Sequence, residues 1–156
     1  MKNQPKVLIY GYGNPGRQDD GLGIIFTEHI EEWIKNNKIN NVSVDSNYQL
    51  NIEDADTISK FDIVIFVDAT QENIEEFTIS KVNPSPETEF TMHSVAPSLV
   101  LYLCNDIYKK IPDTYLLHIK GYEWNFMTKI TDKALNNFQK AFEFITTKFL
   151  NEEYEF

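Results

Sequence analysis

The sequence has little of what disulfide, zinc-cluster and nucleic-acid proteins need. It contains 1 cysteine in 156 residues, which excludes an internal disulfide and a cysteine cluster for zinc or iron–sulfur. Its 14 basic residues face 24 acidic ones, and the net charge of −10 argues against nucleic acid or an anionic membrane as a partner. No apolar run approaches the roughly 18 residues of a membrane span, and the N-terminus does not resemble a signal peptide. We therefore expect a cytoplasmic protein.

Several catalytic signatures are also missing. The sequence contains no H-E-x-x-H, no G-x-S-x-G, no C-x-x-C and no Walker motif. Cys104 lies in an apolar stretch and is interpreted as a small core residue. His29, in the middle of a predicted helix, and His118, inside a predicted strand, are interpreted as packing residues.

The residues that are present predict alternating strands and helices. A hydrophobic content of 42% supports one packed domain over residues 1–156, with a frayed tail at about 151–156. The alternation favours an α/β fold, a three-layer α/β/α sandwich around a mostly parallel twisted sheet of about five strands with one antiparallel edge strand. We expect strands over 7–10, 41–48, 62–68, 76–82 and 114–120, and helices over 20–37, 52–60, 98–109 and 131–150.

A glycine-rich turn follows the first predicted strand. Residues 11–16 match G-x-G-x-x-G, the pattern of a dinucleotide-binding turn, so an NAD-type oxidoreductase is one alternative. Three features disfavour it. Pro15 removes one N–H from the turn, while Asp19 and Asp20 would repel a pyrophosphate. Asp45, the acid of the second strand, comes 29 residues after the last glycine, later than a ribose-binding acid is expected.

Acidic and imidazole side chains are expected to meet at one edge of the sheet, because ligands of such folds bind beyond the carboxyl ends of the strands. Asp19 is the natural N-cap of the first helix, which leaves Asp20 free to point into that crevice. Asp68 ends an apolar run, so its carboxylate needs hydrogen bonds, a cation or a proton. His93 lies in a polar, proline-rich loop. Together Asp20, Asp68 and His93 form a ligand set that suits nickel or zinc.

These motifs resemble a known family. GYGNPGRQDDGLG, DIVIFVDA and the downstream loop histidine are similar to the hydrogenase maturation endopeptidases, and the order of elements agrees over nearly the whole chain. The segment YQLNIEDADTISKFD resembles one common in members that serve cofactor-reducing hydrogenases. The resemblance implies a nickel-dependent protease that removes the C-terminal extension of a nickel–iron hydrogenase large-subunit precursor.

The resemblance also implies roles for individual residues. Asp20, Asp68 and His93 would bind the metal, which is nickel delivered by the precursor; cadmium or zinc could occupy the same site. Asp19 is the nearest further carboxylate that could act as a general base in place of the metal. Backbone N–H groups of the turn, at Gly11, Gly13 and Asn14, would bind the substrate chain. We expect a monomer whose partner is the precursor protein.

Two segments depart from the family pattern. SVAPSLV follows the histidine in place of a leucine- and glycine-containing stretch, and GYEWNFM follows the last strand, in a region that shapes the substrate groove. A second alternative is therefore a non-catalytic metal- or precursor-binding chaperone, which would bind the nickel-loaded precursor and leave its mass unchanged.

Overall fold

Strands and helices alternate through the molecule, as the sequence pattern predicts. The structure is a computed structural model that describes residues 3–87 and 95–156. A short 3-10 turn, Gln18–Gly21, precedes the first helix. The strands and helices are β1 (Val7–Tyr12), α1 (Leu22–Asn36), β2 (Val42–Asn47), α2 (Asp54–Ile58), β3 (Ile63–Thr70), β4 (Phe77–Lys81), α3 (Pro97–Tyr108), β5 (Asp113–Lys120) and α4 (Asp132–Leu150).

The sheet has five strands in the order β2-β1-β3-β5-β4. Strands β2, β1, β3 and β5 are parallel, and the edge strand β4 pairs antiparallel with β5. Helices α1 and α4 contact each other on one face, and α2 contacts α3 on the other. The predicted three-layer sandwich with one antiparallel edge strand is therefore confirmed.

Successive side chains along a strand point to opposite faces of the sheet, so each strand contributes to the hydrophobic cores on both faces. Val7 and Ile9 of β1 face α1 and α4, whereas Leu8 and Tyr10 face α2 and α3. All four are at most 2% exposed. Burying a side chain of this size stabilises the fold by about 2 kcal/mol, so the sheet is fixed from both sides, as a parallel sheet requires.

Two glycines bring the start of α1 against the end of β1. A Cβ on Gly11 would lie 2.1 Å from the carbonyl oxygen of Gly23, and one on Gly23 would lie 2.5 Å from the carbonyl oxygen of Tyr12. Any larger residue would push the helix away from the strand. The glycines therefore determine how closely the residues before α1 approach the carboxyl edge of the sheet.

Strand β3 is longer than the sequence predicts. It continues two residues past Asp68, and Asp68 pairs with His118 while Thr70 pairs with Lys120. Pairing with β1 ends earlier, at Val67. Asp68 therefore lies inside the strand, at the place where its neighbour β1 has stopped pairing.

The prediction that the tail at about 151–156 is frayed is wrong. The ring of Phe156 lies 5.3 Å from the ring of Tyr115, and the hydroxyl of Tyr154 accepts a hydrogen bond from the side-chain amide of Asn41. Both tail residues pack against the core formed with α1 and α4. Aromatic burial offsets the entropy of ordering a short terminal segment.

In residues 3–87 and 95–156, no helix combines the length and the apolar character that crossing a lipid bilayer requires.

Candidate functional site

The candidate site lies where the order of the sheet reverses. From β1 the chain passes through α1 to β2 on one side, and it returns through α2 to β3 on the other side of β1. Since α1 and α2 cover opposite faces, a crevice opens between the carboxyl ends of β1 and β3. Tyr12, Asp20 and Asp68 belong to the segments that border this crevice.

Asp20 is positioned by the turn that precedes it. Its Oδ2 accepts a hydrogen bond from the backbone N–H of Asn14 at 2.8 Å. The side-chain oxygen of Asn14 accepts in turn from the N–H of Gly16 at 2.9 Å. Gly13 has a φ of +137°, and a Cβ there would lie 2.2 Å from the carbonyl oxygen of Asp20. The turn therefore requires glycine at this position, and it fixes the Asp20 carboxylate.

Asp68 has an unusual protonation equilibrium. Burial raises the pKa of its carboxyl from 3.8 to about 7, and the negative charge of Asp20 adds to the rise. Hydrogen bonds from the Ala69 backbone and the Tyr12 side chain act in the opposite direction and lower this pKa. The two carboxylates are thus close enough to repel each other in a partly desolvated crevice.

Tyr12 is a site residue that we did not predict. Burial raises the pKa of Tyr12 well above 10.0, and the neighbouring charge of Asp68 adds to the rise. Because Tyr10 pairs with Phe66, continuing both strands by two residues places Tyr12 beside Asp68 on the same face. A sequence prediction that continued the first strand past Gly11 would have placed Tyr12 beside Asp68.

Asp19 does not have either role expected of it. It is fully buried, and it accepts hydrogen bonds from the backbone N–H groups of Tyr122, Glu123 and Thr131 at 2.7, 3.1 and 2.8 Å. The Thr131 hydroxyl donates a fourth, at 2.9 Å. The N-cap of α1 is Gly21, without a side-chain cap. Asp19 is thus a structural side chain, and neither a helix cap nor an accessible general base.

Backbone N–H groups of the glycine turn are already used inside the protein. Gly13, Asn14, Gly16 and Arg17 all donate to oxygen atoms of the chain. Gly11 is buried and pairs with strands on both sides. The expected substrate contacts through the N–H groups of Gly11, Gly13 and Asn14 are therefore not supported. Their observed function is to hold Asp20 and to let α1 approach β1.

The same observations weigh against a dinucleotide site. A phosphate-binding turn offers unpaired N–H groups at the start of a helix. Here the N–H groups are paired, Pro15 has none, and the carboxylates of Asp20 and Asp68 lie at the crevice. The arrangement favours a cation over a phosphate.

The predicted third ligand, His93, lies outside the described residues. Within 3–87 and 95–156, no group of three or more His, Cys, Asp or Glu side chains could hold a metal ion. The structure therefore brings Asp20 and Asp68 together and leaves the role of His93 a prediction. His118 pairs with Asp68 in the sheet, and burial lowers the pKa of its imidazole.

Several solved structures with the same fold are named as hydrogenase maturation proteases or endopeptidases. The chain is similar to the nickel–iron hydrogenase maturation protease HycI from Thermococcus kodakarensis, with a TM-score of 0.75 at 20% identity over 92% of each chain. It is also similar to the maturating endopeptidase HybD from E. coli, with a TM-score of 0.70 at 15% identity over 94% of this chain and 93% of that one. No protein-family model matches the sequence. A search of curated proteins also found no match. The resemblance is thus confirmed at the level of the fold.

Replacing Asp19 should destabilise the protein strongly. Asp19→Ala leaves the N–H groups of Tyr122, Glu123 and Thr131 without their acceptor, so we expect a loss of about 3 kcal/mol in the free energy of unfolding. Asp19→Asn should also destabilise, since its amide group would face N–H donors. Urea unfolding would measure both losses. Asp45→Asn, at an exposed carboxylate, is the control, and an Asp19→Ala loss as small as the control's would contradict the structural role.

The stability of the protein should depend on pH through Asp68. Its folded-state pKa of about 7 exceeds the unfolded value of 3.8, so the folded state holds a proton that the unfolded chain releases. The contribution of Asp68 to the free energy of unfolding is fully present below about pH 4 and is lost as the pH rises to about 7. Asp68→Asn removes the titration, so its stability relative to wild type should increase across that range by on the order of 1 kcal/mol per pH unit. Urea unfolding at several pH values would show it, and a constant difference would contradict the raised pKa.

Proposed function

We propose that this chain is an endopeptidase that removes the C-terminal extension of a nickel-loaded hydrogenase large-subunit precursor. The observation that carries the proposal is the carboxylate pair, Asp20 and Asp68, at the switch point of a fold shared with hydrogenase maturation proteases. The glycine turn that precedes Asp20 is built to hold that carboxylate. Fold alone would leave many activities open, so the proposal depends on this pair.

The chemistry of the pair fits a divalent cation. Burial in the partly desolvated crevice raises the pKa of Asp68, and repulsion from the Asp20 carboxylate adds to the rise. A cation between them would remove the repulsion and favour both ionised forms. His93 would add an imidazole, and the mixed oxygen–nitrogen set suits nickel, with zinc or cadmium as substitutes. In this proposal nickel belongs to the substrate and serves as its recognition signal.

In this proposal, different groups have different roles in catalysis. Bound nickel would supply a positive charge that polarises the scissile carbonyl. Asn14 keeps the Asp20 carboxylate in one orientation through its N–H, and Tyr12 lies beside Asp68. Since Asp19 is saturated with hydrogen bonds, Asp20 and Asp68 are the carboxylates at the crevice that could activate water in place of the metal.

A precursor-binding chaperone is the second candidate. Hydrogen bonding at Asp19 favours it, because the nearest additional carboxylate cannot act as a base. Such a protein would use Asp20 and Asp68 to bind the nickel-loaded precursor without cleaving it. The mass of the precursor after incubation separates the two candidates.

Substitution of each proposed ligand should abolish processing. Asp20→Asn, Asp68→Asn and His93→Ala each remove one donor to nickel, so we expect cleavage of a nickel-loaded precursor to fall at least about a hundredfold, as loss of about 2.7 kcal/mol of transition-state stabilisation would give. Mass spectrometry of the precursor C-terminus measures the product.

Asp45→Asn is the matched control, because Asp45 is an exposed carboxylate on the neighbouring strand β2. It should cleave at the wild-type rate. Wild-type cleavage by His93→Ala would remove His93 from the ligand set, and wild-type cleavage by either aspartate variant would overturn the proposed site.

Affinity for a divalent cation should rise with pH. Metal binding requires ionised Asp68, whose pKa is about 7, and neutral His93. Binding of nickel or cadmium should therefore weaken at least about tenfold for each pH unit below about 7. Calorimetric titration in buffers of different ionisation enthalpy would also detect release of the Asp68 proton. Binding that is independent of pH between 5 and 8 would contradict this ligand set.

A further inference from the structure

A cavity opens between the glycine turn and the carboxyl end of β2. Its volume is about 300 Å³, and its lining consists of Pro15, Ile24, Ser46, Asn47 and Tyr48. Three of these side chains are apolar and remain accessible: Pro15 is exposed, Ile24 is half-buried and Tyr48 is 69% exposed. They share one concave surface, in which several apolar groups can contact the same ligand atoms.

The turn that holds Asp20 also forms one wall of this cavity. Pro15 directly follows Asn14, whose N–H donates to Oδ2 of Asp20 at 2.8 Å. Standard backbone distances then place the Cα of Pro15 within about 8 Å of that carboxylate oxygen. On the opposite wall, the carbonyl of Asn47 accepts a hydrogen bond from the N–H of Gly13 at 3.2 Å. The cavity therefore adjoins the candidate site through a single turn.

The backbone around the cavity is fixed by hydrogen bonds. The N–H of Tyr48 donates to the side-chain oxygen of Asn47 at 2.8 Å, and the N–H of Ser46 donates to the side chain of Asp45 at 2.8 Å. Asn47 itself pairs with Tyr12 in the sheet. Because these walls are in place before a ligand arrives, little conformational entropy is lost when one binds.

The position of the cavity suits a polypeptide. Among the described strands, β2 lies at the edge of the sheet and pairs with β1 alone. A chain that contacts Asp20 can therefore pass the cavity without crossing another strand. Extended polypeptide advances about 3.3 Å per residue, so a side chain two or three residues from the one at Asp20 reaches the cavity.

The size of the cavity limits what it can hold. Pockets for small-molecule ligands span roughly 300–1,000 Å³, and this one lies at the lower end of that range. It therefore suits one large side chain better than an extended cofactor. Since Pro15, Ile24 and Tyr48 supply apolar surface, burial of apolar area would provide the affinity.

We propose that this cavity is a specificity subsite for an apolar side chain of the protein substrate, two or three residues from the residue that lies at Asp20. The inference rests on the proposed function and names a part of the substrate that is recognised in addition to the metal. Pro15, Ile24 and Tyr48 contact the apolar side chain. The carboxylates of Asp20 and Asp68 remain the reacting site.

The first test changes the cavity in the full chain and uses a nickel-loaded hydrogenase large-subunit precursor. Ser46→Phe fills the cavity, and Tyr48→Ser removes one of its walls. Either change weakens ground-state and transition-state binding equally, so KM should rise at least about tenfold while kcat stays within about twofold. The matched control is Ser43→Phe, at an exposed serine of β2 outside the lining, and it should leave both constants unchanged.

The second test changes the precursor. Alanine replaces, one at a time, each apolar residue within three positions of its nickel ligands. One replacement should raise KM for the wild type and have no further effect on Ser46→Phe, because two changes that remove the same contact are not additive. Full additivity for every replacement would show that no substrate side chain occupies the cavity.

Binding of the precursor, measured by biolayer interferometry, separates this inference from the proposed function. Cleavage with an unchanged KM in both cavity variants, or an equal rise in Ser43→Phe, overturns the subsite and leaves the peptidase intact. Binding that is weakened by Ser46→Phe and Tyr48→Ser, without cleavage by the wild type, supports the subsite and overturns the peptidase. If the wild type neither binds nor cleaves the precursor, both are overturned.

Discussion

A single buried carboxylate organises the region around the candidate site. Asp19 is fully buried and accepts four hydrogen bonds from residues at the two ends of the loop between β5 and α4. A carboxyl group at this depth is tolerated only because donors surround it. It therefore joins three segments: the turn before α1, the loop after β5 and the start of α4. Since Asp20 is its immediate neighbour, the position of the candidate ligand follows from this interaction.

Repulsion between Asp20 and Asp68 is the second constraint on the site. Burial raises the pKa of Asp68 to about 7, and the charge of Asp20 adds to the rise. The hydrogen bond from the Asn14 N–H holds the Asp20 carboxylate in place. An arrangement that stabilises one extra proton would also gain from a divalent cation. This is the physical argument for the proposed metal recognition.

The fold could be predicted from the sequence because its signals are local. Apolar strands that alternate with amphipathic helices imply a parallel sheet with two covered faces, and the rule for strand ends indicates Asp20 and Asp68. The role of Asp19 could not be predicted, because its partners lie 103 to 112 residues further along the chain. An aspartate before a helix is usually a cap, and only the folded loop shows that this one is not. The packing of Phe156 on Tyr115 was missed for the same reason.

The glycine turn shows how one backbone motif can serve opposite chemistry. In a phosphate-binding turn the N–H groups are left for the ligand. Here Asn14 uses its own N–H to hold the carboxylate of Asp20, and its side chain uses the N–H of Gly16. Each of these internal hydrogen bonds uses an N–H group that could otherwise bind a phosphate. Each also helps to hold a carboxylate at the crevice. Whether such a turn suits an anion or a cation thus depends on where its N–H groups point. The acidic residue that follows the turn, Asp20, helps to determine that direction, because it accepts the hydrogen bond from Asn14.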